Sequence, residues 1–329
     1  MDREQPQPPT ERRTLIQTEG PAQTEPRAEP VEPHLAPTGY ARNGEVRIAY
    51  EDLGGEGGDP LLLVMGSAVT RFWWPDGLVR ALIDRGFHVV AFDNRDSGQS
   101  THFPASPAHP VAALFRKEAP AYTGEDVADD AVAVLDAVGW SSAHLFGHSN
   151  GGLRAQRIAL RHPGRVRSLA LSASVSSDAG PWKLLRRIRF GTVAKMARLR
   201  FPETREGDLA MGLAVSRALA SPGYAFDEAE ALSRIEKDVS GSVRDTNSMG
   251  RQHGAHWSGP KLHAIAVPTV VLHGDGDQLL RTAGARDLAG AIAGARLVVT
   301  PGVGHDIPAP MHEVYAEEVR ANADKAVRT

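Results

Sequence analysis

Cysteine is absent from the 329-residue sequence. Without thiols the protein can form neither disulfides nor thiolate metal sites, and it cannot use a cysteine nucleophile. Long apolar runs are absent as well, and residues 1–13 are polar and charged where a secretory signal would be apolar. The sequence therefore predicts a cytoplasmic protein without stable membrane insertion.

Neither sign of charge dominates, since 37 Lys and Arg residues stand against 40 Asp and Glu residues, with a formal net charge of −3. No run of basic residues suggests nucleic-acid binding. Histidines and carboxylates also lack the spacing of metal ligands. We expect no nucleic-acid partner, no metal and no cofactor.

The composition of the chain changes at about residue 37. Up to that point the sequence consists mainly of Pro, Glu, Gln, Thr and Arg, and such a segment buries too little apolar surface to offset its ordering entropy. We expect residues 1–37 to be a disordered tail, with partner binding as the alternative. Residues 38–329 are expected to form one domain.

Within the expected domain, short apolar runs alternate with longer helical patterns, which is typical of a mostly parallel central sheet flanked by helices. The predicted fold class is therefore α/β. The predicted strands are Val46–Asp52, Leu61–Met65, His88–Phe92, Ala143–Phe146, Val166–Leu171, Thr269–His273 and Arg296–Val299. The predicted helices are Gly77–Arg85, Glu125–Val138, Gly152–Arg161 and Met311–Ala326.

The alternation stops at about residues 176–260, where no strand is predicted. We expect a helical lid inserted there. Its first part, residues 182–200, interleaves apolar with basic residues. Such a segment can lie over a binding site or, as the alternative, on a membrane surface.

The strongest motif is the pentapeptide Gly-His-Ser-Asn-Gly at residues 147–151, which lies between a predicted strand and a helical pattern. It fits the nucleophile elbow G-x-S-x-G, in which a sharp turn holds the serine in a strained conformation. Side chains two residues on either side would collide in that turn, so glycine is needed there. Ser149 is the predicted nucleophile.

A serine nucleophile needs a base, and thirteen histidines compete for that role. In chains with this motif the base lies on a loop after the last strand. His305 is the histidine in that place. The sequence favours a packing role for His148 and a structural role for His273, while three others could contact substrate: His253, His256 and His263.

The acid of the triad is expected after the strand Thr269–His273, where Asp275 and Asp277 both occur. We favour Asp277, because the first aspartate of such a turn often bonds to the local backbone. Asp275 remains the alternative, and Asp178 a weaker one. The acid would orient the imidazole and stabilise its cationic form.

An oxyanion hole needs backbone N–H donors, one from the residue after the nucleophile and one from the loop after the strand Leu61–Met65. These positions are Asn150 and Ser67. Gly66 is the alternative to Ser67.

Several motifs together resemble members of the α/β-hydrolase superfamily: Leu61-Leu62-Leu63-Val64-Met65-Gly66, Trp74-Pro75-Asp76, Asp93-Asn94-Arg95-Asp96-Ser97-Gly98-Gln99-Ser100, residues 147–151 and Pro301-Gly302-Val303-Gly304-His305. Within it, Met-Gly followed by Trp-Pro-Asp is similar to the aclacinomycin methylesterase-like serine esterases. The resemblance implies an α/β-hydrolase fold and assigns residues 93–100 to a fold-defining turn.

The predicted function is hydrolysis of a carboxylic ester through an acyl-enzyme on Ser149. The resemblance suggests a bulky, apolar methyl ester as the small-molecule substrate. The same site could serve a lactonase or a perhydrolase. From a different class, the alternative is a ligand sensor or signalling protein without turnover on the same scaffold.

Overall fold

The computed structural model describes residues 38–104, 121–238 and 245–326, so the predicted tail at residues 1–37 lies outside the described residues. The described strands form one eight-stranded sheet. They are β1 Gly39–Asn43, β2 Val46–Gly54, β3 Asp59–Val64, β4 Phe87–Phe92, β5 Ala143–His148, β6 Val166–Ser172, β7 Thr269–Gly274 and β8 Arg296–Thr300.

The strand order in the sheet is β1-β2-β4-β3-β5-β6-β7-β8. β2 pairs antiparallel with both β1 and β4. All the other pairings are parallel, so the predicted α/β fold with a mostly parallel sheet is confirmed. Because parallel strands end at the same edge, β5, β7 and β8 bring their following loops together.

The sequence pattern does not predict β1, which forms one edge of the sheet. Ala41 is buried in this strand, whereas Tyr40 beside it is 41% exposed. A five-residue strand with one apolar side chain facing inward lacks the alternation that marks a half-buried strand. Its pairing with β2 therefore decides its conformation.

The α-helices in the described ranges are α1 Asp76–Asp84, α2 Gly124–Ala137, α3 Asn150–Arg161, α4 Pro181–Arg187, α5 Phe190–Met196, α6 Arg205–Leu219, α7 Glu228–Lys237, α8 Thr246–Gly254, α9 Thr282–Ala291 and α10 His312–Ala326. Thr123 and Asp126 form a capping box that starts α2. The sequence pattern does not predict α9, which has no side-chain cap and contains two glycines, Gly284 and Gly290.

Two apolar layers cover the two faces of the sheet. Successive residues of β3 point to opposite layers, with Leu62 in one and Leu63 in the other. The first layer includes residues of α2, α3 and α9, and the second includes residues of α1 and α10. Burial on both faces explains why the parallel strands read as continuous apolar runs.

The turn after β4 is held by a buried ion pair. Arg71 and Asp93 are 3% and 0% exposed, and Arg71 Nη1 donates to Asp93 Oδ2 at 2.6 Å. The backbone N–H groups of Arg71 and Gln99 also donate to this carboxylate. Burial raises the pKa of Asp93 and outweighs the opposing effect of Arg71.

The described residues between β6 and β7 include five α-helices, α4 to α8, in the range where the sequence predicts a lid. The first two carry exposed apolar side chains, of which Trp182 is 80% and Phe190 is 53% exposed. The backbone between them is bonded to the loop after β7, since Arg189 N donates to Leu279 O at 2.8 Å. This inserted segment therefore contacts the carboxyl edge of the sheet.

Candidate active site

Ser149 lies between the last residue of β5 and the first residue of α3. Its backbone has φ 55° and ψ −125°, a conformation that costs free energy for any residue with a side chain. The N–H group of Ser149 donates to Ser172 O at 2.8 Å, which ties the turn to β6. The strained turn sets the serine between strand and helix, as the elbow motif predicts.

The two glycines of the pentapeptide are required by close backbone contacts. A Cβ atom on Gly147 would lie 2.6 Å from Gly151 O, and one on Gly151 would lie 1.8 Å from Val64 O. Neither position can hold a larger residue without moving the backbone. The helix therefore starts directly against the end of β3.

His305 lies on the loop after β8, and its Nε2 atom is 2.9 Å from Ser149 Oγ. The side chain is buried. Burial disfavours the charged imidazolium, but the carboxylate of Asp277 outweighs it and raises the pKa of His305 above its ordinary value. An imidazole in this position can accept the hydroxyl proton of Ser149.

Asp277 follows β7 and is 1% exposed. Its Oδ2 atom is 2.9 Å from His305 Nδ1, and its Oδ1 atom accepts the backbone N–H groups of Leu279 and Leu280. Burial opposes ionisation, yet His305 and the hydrogen bonds lower the pKa of Asp277 overall. The carboxylate is therefore ionised at neutral pH, and its second oxygen is fixed by backbone.

The two alternative acids lie elsewhere. Asp275 is exposed, and its Oδ1 atom accepts Gly302 N at 2.7 Å, a bond to the loop that carries His305. Asp178 is also exposed and accepts Leu262 N. Of the three aspartates, the structure brings Asp277 to His305.

Two other histidines lie close to this group. The ring of His148 is 5.4 Å from the ring of His305 and 6.3 Å from that of Trp74. Burial, together with the neighbouring His305, lowers the pKa of His148 to about 3, so this ring stays neutral. His273 is fully buried at the end of β7, and burial lowers its pKa. Neither ring takes part in the contacts that join Ser149, His305 and Asp277.

The loop after β3 lies against the serine. A Cβ atom on Gly66 would be 3.3 Å from Ser149 Cβ and 3.7 Å from Ser149 Oγ. Asn150 is the first residue of α3, where the backbone N–H has no partner within the helix. The Asn150 side chain donates to Ser67 Oγ. The structure thus brings Ser67 and Asn150, the residues of the two predicted oxyanion donors, into side-chain contact with each other.

The inserted segment holds the histidine loop by contacts that the sequence does not predict. His305 N donates to Leu219 O at 3.0 Å, and Gly304 N donates to Ser221 Oγ at 2.7 Å. Ser221, which is 4% exposed, also bonds to the carboxylate of Asp306. The sequence around Ser221 gives no sign of this role, because the residues that Ser221 bonds to are more than eighty positions away in the chain.

A model of the α/β-hydrolase fold matches residues 59–309. The chain belongs to the α/β-hydrolase family. It is 30% identical to rhodomycin D methylesterase DnrP of Streptomyces peucetius, over 88% of this chain and 99% of that protein. It is 28% identical to a non-heme haloperoxidase of Rhodococcus erythropolis, over 84% of this chain and 93% of that protein.

Solved structures share the fold. A meta-cleavage product hydrolase of Pseudomonas fluorescens superposes with a TM-score of 0.66, with 19% identity over 88% of this chain and 98% of that one. An esterase of Exiguobacterium antarcticum superposes with a TM-score of 0.64, with 19% identity over 87% and 98% of the two chains. The predicted fold, the methylesterase-like resemblance and the hydrolase class are confirmed by the family match and the relatives.

Membrane-spanning helices and metal-binding clusters are both absent from the described ranges. No helix there has the length and apolar character needed to cross a membrane. In the same part of the chain, no group of three or more histidines and carboxylates is arranged to hold a metal ion.

Proposed function

We propose that this hydrolase cleaves a carboxylic ester through a covalent acyl-enzyme on Ser149. The observation that carries the proposal is the continuous chain of two 2.9 Å contacts, from Ser149 Oγ to His305 Nε2 and from His305 Nδ1 to Asp277 Oδ2. A nucleophile, a base and a buried, ionised acid in that order form the arrangement used for acyl transfer.

The reaction follows from the positions of these groups. Ser149 Oγ attacks the ester carbonyl while its proton moves to His305 Nε2. The bond to the alcohol oxygen then breaks, and His305 gives its proton to that alcohol. Water attacks the acyl-enzyme with His305 again as base, which releases the acid and restores Ser149. Asp277 stays ionised and stabilises the imidazolium.

The negative charge that develops on the carbonyl oxygen needs two donors. We assign the backbone N–H groups of Ser67 and Asn150 to this role, since Asn150 directly follows Ser149 and Ser67 follows Gly66, which lies against Ser149. Donors fixed in a site of low dielectric stabilise such a charge more than water does.

Two relatives support the substrate class. The likeness to rhodomycin D methylesterase favours a bulky, apolar methyl ester, and the inserted segment, which contacts the histidine loop, would act as a lid that selects it. The haloperoxidase relative supports perhydrolysis as a second activity of the same triad.

The test uses a p-nitrophenyl ester and then a panel of aromatic methyl esters and lactones. We expect a burst of nitrophenol followed by steady turnover, and an acyl adduct on Ser149 by mass spectrometry. Adduct formation without turnover would favour the ligand sensor. Neither adduct nor turnover on any ester or lactone would overturn the proposal.

A further inference from the structure

Arg154 is a buried arginine on α3, one helical turn beyond Asn150. It is 4% exposed. Residues four apart share a helix face, and both of these side chains reach the same atom, Ser67 Oγ. The arginine therefore lies directly behind the loop that we assign to the oxyanion hole.

The donors of Arg154 are bonded to neutral oxygen atoms. Nη1 donates to Met65 O at 3.1 Å and to Gly66 O at 3.4 Å, while Nη2 donates to Gln252 Oε1 at 3.0 Å and Ser67 Oγ at 3.3 Å. Three of these four partners belong to the loop after β3. The fourth, Gln252, is held by the turn after β4.

Two other buried arginines are compensated by aspartates. Arg71 pairs with Asp93 and Arg95 pairs with Asp130, each at 2.6 Å. Within the described ranges, Arg154 is in no such ion pair, and the carboxylate of Asp130, which pairs with Arg95, acts on it only from a greater distance. Burial lowers the pKa of Arg154 to about 10, so the group still carries its charge at neutral pH. A buried charge outside an ion pair is costly, and a role in catalysis would account for that cost.

The peptide group between Gly66 and Ser67 links Arg154 to the reaction. In a planar trans peptide the C=O and N–H groups point in opposite directions. Donation from Arg154 to Gly66 O therefore turns Ser67 N–H away from the arginine and polarises it. Gly66 lies next to Ser149, so the charge is close to where the oxyanion forms.

We propose that Arg154 is a positioning residue for catalysis, which fixes the Gly66–Ser67 peptide and supplies a buried positive charge behind the oxyanion hole. The inference rests on the proposed ester hydrolysis. It predicts that the charge acts on the transition state and not on substrate binding.

The experiment compares Arg154→Met, Arg154→Lys and the control Arg157→Met with the wild type. Arg157 lies on the same helix and donates to Ala255 O, away from the oxyanion loop. For Arg154→Met we expect kcat to fall by about tenfold to a hundredfold, less than loss of a direct oxyanion donor. KM is expected to change less than about twofold. Arg154→Lys should recover part of kcat, and Arg157→Met should be as active as the wild type.

A second measurement separates electrostatics from a general loss of structure. A boronic acid forms a tetrahedral, negatively charged adduct on Ser149, so its affinity should fall in parallel with kcat in the Arg154 variants. Wild-type kcat in Arg154→Met would overturn the inference, and so would a loss of kcat with unchanged boronic-acid affinity. If Arg154→Met does not fold, the same comparison in Arg154→Lys decides.

A comparison of the wild type with Ser149→Ala separates a failure of the proposed ester hydrolysis from a failure of the inference about Arg154. If the wild type has no turnover that depends on Ser149, the proposed function is wrong. If the wild type turns over esters and Arg154→Met matches it, the inference about Arg154 alone is wrong.

Discussion

Asp93 and Asp277 are both buried beyond the carboxyl end of a strand, at 0% and 1% exposure, and they differ in the partner each one faces. Asp93 is bonded to the guanidinium of Arg71, whose charge is permanent. Asp277 is bonded to the imidazole of His305, which gains and loses a proton near neutral pH. Under the proposed mechanism, the partner decides whether a buried carboxylate fixes a turn or supports proton transfer.

The two turns also resemble each other in backbone strain. Asp96 in the turn after β4 has φ 63°, and Ser149 in the elbow has φ 55°. The carboxylate of Asp96 is held by Arg251 through two hydrogen bonds, whereas the hydroxyl of Ser149 faces a base. A strained backbone with positive φ therefore does not by itself identify the reactive residue.

The largest effect is expected when the nucleophile is removed. Ser149→Ala should lower kcat at least a thousandfold, because no other group in the elbow can form the acyl-enzyme. The melting temperature should stay near that of the wild type, since the hydroxyl contributes little to packing. Ester kinetics and thermal unfolding measure the two effects. Retention of more than about a tenth of the activity would contradict the assignment.

The next largest effect is expected at Asp277, the candidate acid in the comparison with Asp93. Asp277→Asn should lower kcat by several orders of magnitude with little change in KM, because an amide favours the wrong imidazole tautomer. The matched control is Asp275→Asn, which changes only the bond to Gly302 N and should cost about 1 kcal/mol of stability. If the Asp275 variant is inactive and the Asp277 variant active, the two roles are reversed.

For Asp93, the other aspartate of the comparison, we expect a loss of stability. Asp93→Asn should lower the free energy of unfolding by about 3 kcal/mol, because it leaves the buried charge of Arg71 with less compensation. Activity per folded molecule should be retained. Denaturant unfolding measures the change, with Asp129→Asn as control, since the half-buried pair of Asp129 with Arg161 should be worth less than about 1 kcal/mol. Equal losses in both variants would refute this reading of Asp93.

The smallest expected effect is a shift in the pH dependence of kcat/KM. The base must be neutral to accept a proton, so kcat/KM should fall as the pH drops through the pKa of His305. Since Asp277 raises that pKa, the midpoint of the acid limb should lie above the ordinary histidine value of about 6.5. The residual activity of Asp277→Asn should show a lower midpoint. A midpoint that does not move would argue against the contact between the two groups.

Much of the fold and of the candidate triad could be predicted because the signals are local. The parallel strands are buried on both faces and therefore read as apolar runs. The elbow needs glycine within two residues of Ser149 on both sides, and His305 and Asp277 each follow a recognisable strand. The edge strand β1 and the helix α9 lack such local patterns.

The sequence by itself determined the alternation of strands and helices along the chain, apart from β1 and α9, and the candidate nucleophile, base and acid, since each depends on residues that are near neighbours in the chain. Tertiary structure decided which aspartate meets His305, and it alone brought Ser221 to the histidine loop. It also placed Arg154 against Gln252, 98 residues away, and behind Gly66. Contacts over such separations form only when the sheet and the inserted segment pack together, so no local pattern records them.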